Sequence, residues 1–432
     1  MATETILNME GARIKFGTGA TRELGFEMRA LGVRRAFLVT DPVMAQSEPV
    51  AVARESLRGA GIDVVCYAET RVEPSDASFQ EAIRAAGESR CDGFAAVGGG
   101  SSMDTAKAAN LYTTYPADLL TYVNHPIGRG EPVPGPLKPL VAVPTTAGTG
   151  SETTGVAIFD YLQMGAKTGI AHRALRPTLG IVDPDNTRTL PPVVAASTGL
   201  DVLCHAVESF TALPYTAREA PAEPALRPAY QGANPISDLW AERAIELVAG
   251  HLVRAMRDAD DDEARTAMLL AATFAGYGFG NAGVHLPHGM SYPVSSMVAG
   301  RQTAGPGYHP AGYPDDHPMC PHGMSVILNA PAVFRFTACA DPQRHLRAAR
   351  LMGAEVEGAD AAASGEVLAA AIIDLMRAVD MPAGLAAVGF TEQHIPALVQ
   401  GTLPQHRVTK LAPRPASEAD LGALFADALR YW

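Results

Sequence analysis

The sequence predicts an α/β domain over residues 1–190 followed by an all-α domain over 191–432. Three observations predict it. Short apolar runs alternate with longer helical patterns up to residue 190, as in a sheet with crossover helices. One of those runs ends in three glycines that open straight into a helical pattern. Beyond Pro191 the strand signals stop, and segments rich in Ala, Leu, Arg and Glu take over. A chain of 432 residues also exceeds what one hydrophobic core usually organises.

In chain order, Arg35–Thr40 reads as a strand that ends at Asp41-Pro42. A helix fits 45–60, a second strand Asp63–Tyr67, and a second helix Ser75–Glu88. Gly93–Val97 is a third strand, running into Gly98-Gly99-Gly100-Ser101-Ser102-Met103-Asp104 and the helix beyond. Pro139–Val143 and Gly180–Asp183 are the fourth and fifth. The helical domain reads as segments 191–211, 237–257, 261–279, 323–338, 342–354, 362–380 and 417–430. Two long stretches rich in Pro, Gly and Tyr interrupt it, 212–236 and 299–321, and loops of that length are usually functional or disordered.

Hydrophobic residues make up 47% of the chain and charged ones 19%, a core-rich globular balance. A net charge of −12 argues against nucleic acid or an anionic membrane surface as partner. It also requires any anionic substrate to be met by a local basic pocket. The cysteines (Cys66, Cys91, Cys204, Cys320, Cys339) are scattered and lack Cys-x-x-Cys spacing, a reduced pattern with neither a disulfide framework nor a thiolate zinc site. The first residues show neither an export signal nor an Arg- and Ser-rich mitochondrial presequence, and no apolar run reaches the ~20 residues of a membrane span. A cytoplasmic protein is the expectation.

Asp201 and His205 stand four residues apart in a helical stretch, so both rise from one face about a turn apart. Alone, such a pair is more often an ordinary hydrogen bond. Two later His-Gly-Met corners, at His288 and His322, turn it into a candidate site in which one carboxylate and three imidazoles bind a metal and leave room for a substrate oxygen. The glycine turn offers a second chemistry. Gly99 and Gly100 let a backbone approach phosphates, the helix start points N–H groups at an anion, and Ser101 and Ser102 add hydroxyls. A flexible loop would look similar, because the turn matches neither G-x-G-x-x-G nor a Walker motif. Asp41, at the end of the first strand, can accept from a ribose diol and would repel a 2′-phosphate, favouring NAD over NADP; a plain Asp-Pro turn is the alternative. The loop Pro144-Thr145-Thr146-Ala147-Gly148-Thr149-Gly150-Ser151-Glu152 is small and hydroxylated enough to approach a flat amide-bearing ring.

Together these motifs resemble, across nearly the whole chain, the iron-containing (group III) alcohol dehydrogenase family, whose fold is shared with dehydroquinate synthase. The resemblance implies a dinucleotide-binding α/β domain and a helical metal-binding domain. It makes Asp201, His205, His288 and His322 the metal ligands and the catalytic centre, and gives Asp41, Gly99, Gly100, Ser101, Ser102, Asp104, Thr145, Thr146, Thr149 and Lys167 to NAD. It names Fe²⁺ first, with Zn²⁺ equally suited to the donors. His285 lies outside the motif and reads as a pocket or core histidine.

Two departures narrow the branch: Tyr292 stands where many members have a second histidine, and Arg71-Val72-Glu73-Pro74-Ser75 replaces an Asn-Pro-Thr type turn. With the segments 227–238 and 276–285, these are similar to the hydroxyacid–oxoacid transhydrogenases. That likeness implies oxidation of 4-hydroxybutyrate to succinate semialdehyde, coupled to reduction of 2-oxoglutarate to 2-hydroxyglutarate through tightly held NAD(H). A homo-oligomer is expected. The alternative is an NAD-dependent dehydrogenase of a small primary alcohol that releases its cofactor each turnover. Two carboxylate substrates require cationic or N–H donors. Arg227, in the insertion after the Asp201 helix, is the chosen clamp, ahead of Arg173, Arg176, Arg301, His309 and His317.

Overall fold

In the computed structural model, which describes residues 3–164, 166–314 and 317–432, the strands are β1 (Arg13–Phe16), β2 (Arg35–Val39), β3 (Asp63–Tyr67), β4 (Gly93–Gly98), β5 (Leu140–Pro144), β6 (Val156–Tyr161), β7 (Ala166–Ala171) and β8 (Leu179–Val182). Six of them form one parallel sheet in the order β1-β8-β5-β4-β2-β3, and β6 and β7 form a separate antiparallel hairpin. Helices α1 (Leu24–Ala30), α2 (Glu48–Gly59), α3 (Asp76–Ser89) and α4 (Gly100–Thr114) complete this unit.

Both sheet faces are covered, so the central strands are apolar on both sides, which is why they read as continuous hydrophobic runs. Leu38, Ala95 and Val97 pack with Met28 of α1 and Leu57 of α2 on one face. Phe37, Phe94 and Ala96 pack with Ala82 of α3 and Met103 of α4 on the other. Ser75 caps α3 in a reciprocal capping box with Ser78. The chain runs from β2 outward to β3 and then returns past β2 to β4, so the winding reverses between β2 and β4. Outside the carboxyl ends of strands at such a switch point lies the usual crevice for a ligand of an open α/β sheet. Asp41 and the glycine turn stand at those two strand ends.

The helical unit contains α5 (Pro192–Thr211), α6 (Pro235–Arg257), α7 (Asp262–Ala282), α8 (Leu286–Ala299), α9 (His322–Ile327), α10 (Ala330–Thr337), α11 (Pro342–Leu351), α12 (Ser364–Ala378), α13 (Ile395–Thr402), α14 (His406–Thr409) and α15 (Glu418–Asp427). Among the described residues α5 alone is long and apolar enough to cross a membrane; 78% of its most apolar window is buried here, as in a core helix.

The structure corrects the sequence reading in three places. The chain divides as Gly11–Leu190 against Met1–Glu10 with Pro191–Trp432, so the first ten residues leave the α/β domain. They are tied into the helical unit by Asn8 N–H to Gln231 (2.8 Å), Glu10 N–H to Asn281 (2.9 Å) and Glu4 N–H to the Arg218 carbonyl (2.9 Å). The helix read over 323–338 is two, α9 and α10, parted at Leu328-Asn329 ahead of Pro331. The reading also gave no element to β1, a four-residue strand with no fully buried residue, to the β6–β7 hairpin, or to α1, α8, α13 and α14.

Candidate functional site

The helical unit gathers four donors at one point. Asp201 and His205 lie on α5, His288 in the first turn of α8, and His322 begins α9. Gly323 explains how α9 comes so close. A Cβ there would stand 2.1 Å from the Ser197 carbonyl oxygen and 2.8 Å from Asp201 Cβ, so only glycine lets the start of α9 lie on α5. Asp201 Oδ1 faces His205 Nε2 at 3.8 Å, His288 Nε2 at 3.6 Å and His322 Nε2 at 3.9 Å. The four donor atoms lie within 4.8 Å of one another.

These separations are too long for hydrogen bonds. They approach the ~3.4 Å edge of a tetrahedron with metal–ligand bonds of about 2.1 Å. Asp201 Oδ1 and His288 Nε2 are buried without any hydrogen-bond partner, a costly state unless another group completes them. Burial opposes ionisation of Asp201, yet His205, His322 and His288 hold its carboxyl well below the usual carboxylate range. Burial also opposes charge on His288, but Glu208 and Asp201 push it up to about 9. His205, where burial wins, is pushed down to about 3. A buried site that pulls protons onto an imidazole is short of positive charge, so this donor set fits a divalent cation. Its oxygen and nitrogen atoms, with no thiolate among them, suit Fe²⁺ or Zn²⁺.

Glu208 is the residue the sequence reading missed here. It is buried on α5, and its Oε1 accepts from His288 Nδ1 at 2.6 Å. That bond assigns the proton to Nδ1 and leaves the Nε2 lone pair for the cluster. Its Oε2 accepts the backbone N–H of His285 at 2.6 Å, fixing the entry to α8. Its position seven residues after Asp201, on the same face of α5, was the available signal. His205 is positioned differently, by stacking on Phe279 with ring centroids 3.9 Å apart. His285 is a core histidine: fully buried, it accepts from Leu286 N–H and bonds Thr211 Oγ1 at 3.2 Å.

In the α/β unit α4 begins one residue after β4, and its cap residue Gly99 supplies no side-chain hydrogen bond to the first turn. A Cβ on Gly100 would meet Thr149 Cγ2 at 2.6 Å, and one on Gly99 would meet Thr146 at 3.4 Å. The glycines therefore allow the phosphate turn and the threonine loop to close on each other, and Thr145 N–H donates to the Gly98 carbonyl at 3.0 Å. Ser101, Thr146 and Thr149 remain partly exposed, whereas Ser102 is buried under Gly98 and Thr145 is buried as well. Asp41 accepts from Val43 and Met44 N–H through Oδ1, and its Oδ2 points toward Gly98. The turn, its uncapped helix start and the switch point fit a dinucleotide.

Three expected contacts turn out differently. Asp104 spends both oxygens inside the protein, on Ser151 Oγ (2.7 Å) and Ile158 N–H (2.9 Å), so it braces the threonine loop from behind. Lys107, missed in the sequence, joins that brace, donating to the Val156 carbonyl at 2.8 Å. Lys167 is buried on β7 and ion-paired with Glu73 (2.7 Å) and Asp160 (3.0 Å). Arg227 is not an available clamp: Glu4 holds it through Nε at 3.0 Å and Nη2 at 3.3 Å. Arg176 donates to the Thr153 carbonyl, and Arg301 and His309 lie exposed.

Comparison with known proteins follows the same outline. A family model described as iron-containing alcohol dehydrogenase matches residues 11–184, and one for the C-terminal part of the Fe-containing alcohol dehydrogenase family matches 229–299 and 318–429. The chain is 52% identical to proteins named hydroxyacid-oxoacid transhydrogenase, mitochondrial, from Bos taurus and from Homo sapiens, over all of this chain and 91% of each relative. Among solved structures, a 1,3-propanediol oxidoreductase aligns with TM-score 0.83 and 28% identity, over 98% of this chain and all of its own. Sulfoacetaldehyde reductase from Bifidobacterium kashiwanohense in complex with NAD+ aligns with TM-score 0.78 and 26% identity, over 98% of both chains. The names of the relatives overturn the cytoplasmic expectation and point to mitochondria. Reduced cysteines fit any reducing compartment and could not separate the two.

Proposed function

The chain belongs to the iron-containing alcohol dehydrogenase family, and from that premise we propose that it is a metal- and NAD-dependent hydroxyacid–oxoacid transhydrogenase. The observation that carries the proposal is the buried cluster of Asp201 and three imidazoles, with donor atoms left without hydrogen-bond partners. Full-length likeness to relatives named for this activity supports the substrate class. The proposed pair is 4-hydroxybutyrate, oxidised to succinate semialdehyde, and 2-oxoglutarate, reduced to 2-hydroxyglutarate. What the first acid loses, a hydride and a proton, the second gains, so no outside oxidant is consumed.

Asp201, His205, His288 and His322 would hold the ion, Fe²⁺ or Zn²⁺. Gly99, Gly100, Ser101, Thr146 and Thr149 would hold NAD at its phosphates and amide, with Asp41 at the adenosine ribose. When bound, the ion supplies a Lewis acid for the substrate oxygen, and the nicotinamide a reversible hydride carrier. The protein's own contribution is positioning. Glu208 keeps the proton on His288 Nδ1, Phe279 fixes the plane of His205, and Asp104 with Lys107 stiffens the threonine loop.

The test is to incubate purified protein with 4-hydroxybutyrate and 2-oxoglutarate and no added NAD. Formation of 2-hydroxyglutarate that depends on 4-hydroxybutyrate is the expected result. Rapid aldehyde-dependent oxidation of free NADH, with no response to 2-oxoglutarate, would replace the proposal with an ordinary alcohol dehydrogenase.

A further inference from the structure

Two carboxylate substrates in a chain of net charge −12 need a cation that the protein's own carboxylates have not neutralised. Several arginines of the helical unit do not qualify: Arg227 is held by Glu4, Arg344 by Asp238 and Arg335 by Glu366. Arg407 differs. Among the described residues its partners are two tyrosines and no carboxylate. Its Nη2 donates to the Tyr292 hydroxyl at 3.2 Å, and its guanidinium lies over the Tyr230 ring, 5.1 Å from the centroid. Its Nη1 is shut off from solvent and has no hydrogen-bond partner. A guanidinium nitrogen shut off from water without an acceptor is costly to keep, and an anion would complete it.

The position of Arg407 says which anion. Tyr292 follows His288 by four residues on α8, so the anchor of Arg407 and a member of the metal cluster share one helix face, a turn apart. Arg407 itself sits on α14, which lies against α8 at Gly289, where a Cβ would come within 2.6 Å of Thr409 Cγ2. A helical turn rises ~5.4 Å, a length that a short carbon chain spans. We infer that Arg407, held by Tyr292 and Tyr230, is the carboxylate-binding cation for both the hydroxy acid and the oxo acid. The substrate class rests on the transhydrogenase reading above. A planar guanidinium gripping a carboxylate orients the rest of the acid as well as attracting it, which an ammonium does less well.

The test compares metal-loaded wild type with Arg407→Gln, after metal content and Tm show both to be folded and loaded. Arg407→Gln should raise KM for 4-hydroxybutyrate and 2-oxoglutarate by about tenfold to a hundredfold, and affect an uncharged primary alcohol at least about tenfold less. Arg407→Lys should recover part of the loss. Calorimetric titration with glutarate, a dicarboxylate that cannot react, provides a readout independent of turnover. Binding by the wild type that Arg407→Gln loses supports the clamp even if no transhydrogenation is found, so the two readings fail separately. Equal losses for charged and uncharged substrates, or unchanged glutarate binding, would overturn the inference. Should Arg407→Gln fail to fold, Tyr292→Phe carries the test: loosening the guanidinium should raise KM for the acids alone, and an equal rise for the alcohol would count against it.

Discussion

Asp104, partly buried, and Asp201, buried, are both helix carboxylates with basic neighbours, and they differ in what surrounds their oxygens. Asp104 Oδ1 and Oδ2 each accept a hydrogen bond, and Lys107 Nζ stands 3.6 Å away. Asp201 Oδ1 faces three ring nitrogens at 3.6–3.9 Å and bonds none of them. The electrostatic outcome is opposite as well: burial raises Asp104, while neighbouring imidazoles overcome burial and hold Asp201 low. A completed carboxylate is scaffolding, and an incomplete one held in its charged form is a binding group. The same distinction separates Arg227, completed by Glu4, from Arg407, whose Nη1 is left over.

The largest expected effect breaks the incomplete side. His322→Ala removes a donor from the cluster and should abolish metal retention on dialysis, measured by elemental analysis, while the α/β unit still folds and binds NAD. His285→Ala, three residues from His288 but outside the cluster, should keep its metal. If His285→Ala loses metal and His322→Ala does not, the donor set is wrong.

Glu208→Gln should weaken metal binding by about tenfold to a hundredfold, because the charge behind His288 Nδ1 is gone while the ligands stay. Competition with a chelator measures it, and an unchanged affinity would reduce Glu208 to a helix-entry residue.

Asp104→Asn sharpens the comparison from the completed side. It should cost about 1–3 kcal/mol in unfolding free energy and weaken NAD binding without altering metal content. A metal loss equal to that of Glu208→Gln would erase the distinction. A smaller effect is expected from Asp41→Gly, which removes a carboxylate beside Gly98 and should shift the ratio of NAD to NADP affinity toward NADP. An unmoved ratio in a titration with both nucleotides takes Asp41 out of the site. The least effect on specificity belongs to Arg227→Ala, which should alter charged and uncharged substrates equally.

Much of this was legible in the sequence because the relevant order is local. Buried parallel strands read as short apolar runs between turns, and Asp201-x3-His205 followed by two His-Gly-Met corners advertises its chemistry by spacing. Gly323 shows why the corner needs its glycine: the signal was readable, and its cause, contact with the Ser197 carbonyl, was not. Arg227 was misjudged because its partner Glu4 lies 223 residues away. Arg407 was invisible for the converse reason, since its meaning is an absent partner, and a sequence does not display absences. Asp104 and Lys167 were assigned outward roles because their hydrogen-bonding and ion-pair partners sit on other elements.

The attachment of Glu4, Asn8 and Glu10 to the helical unit makes the α/β unit an insert within a single chain, entered near residue 10 and left near residue 190. A protease that nicks the chain at either junction alone would separate nothing, because the other junction still joins the two parts. During synthesis Asn8 must wait 223 residues for Gln231, and Glu10 must wait 271 for Asn281. The α/β unit can fold from a contiguous stretch of nascent chain, whereas the metal-binding unit is completed only when the start of the chain meets residues beyond the α/β unit.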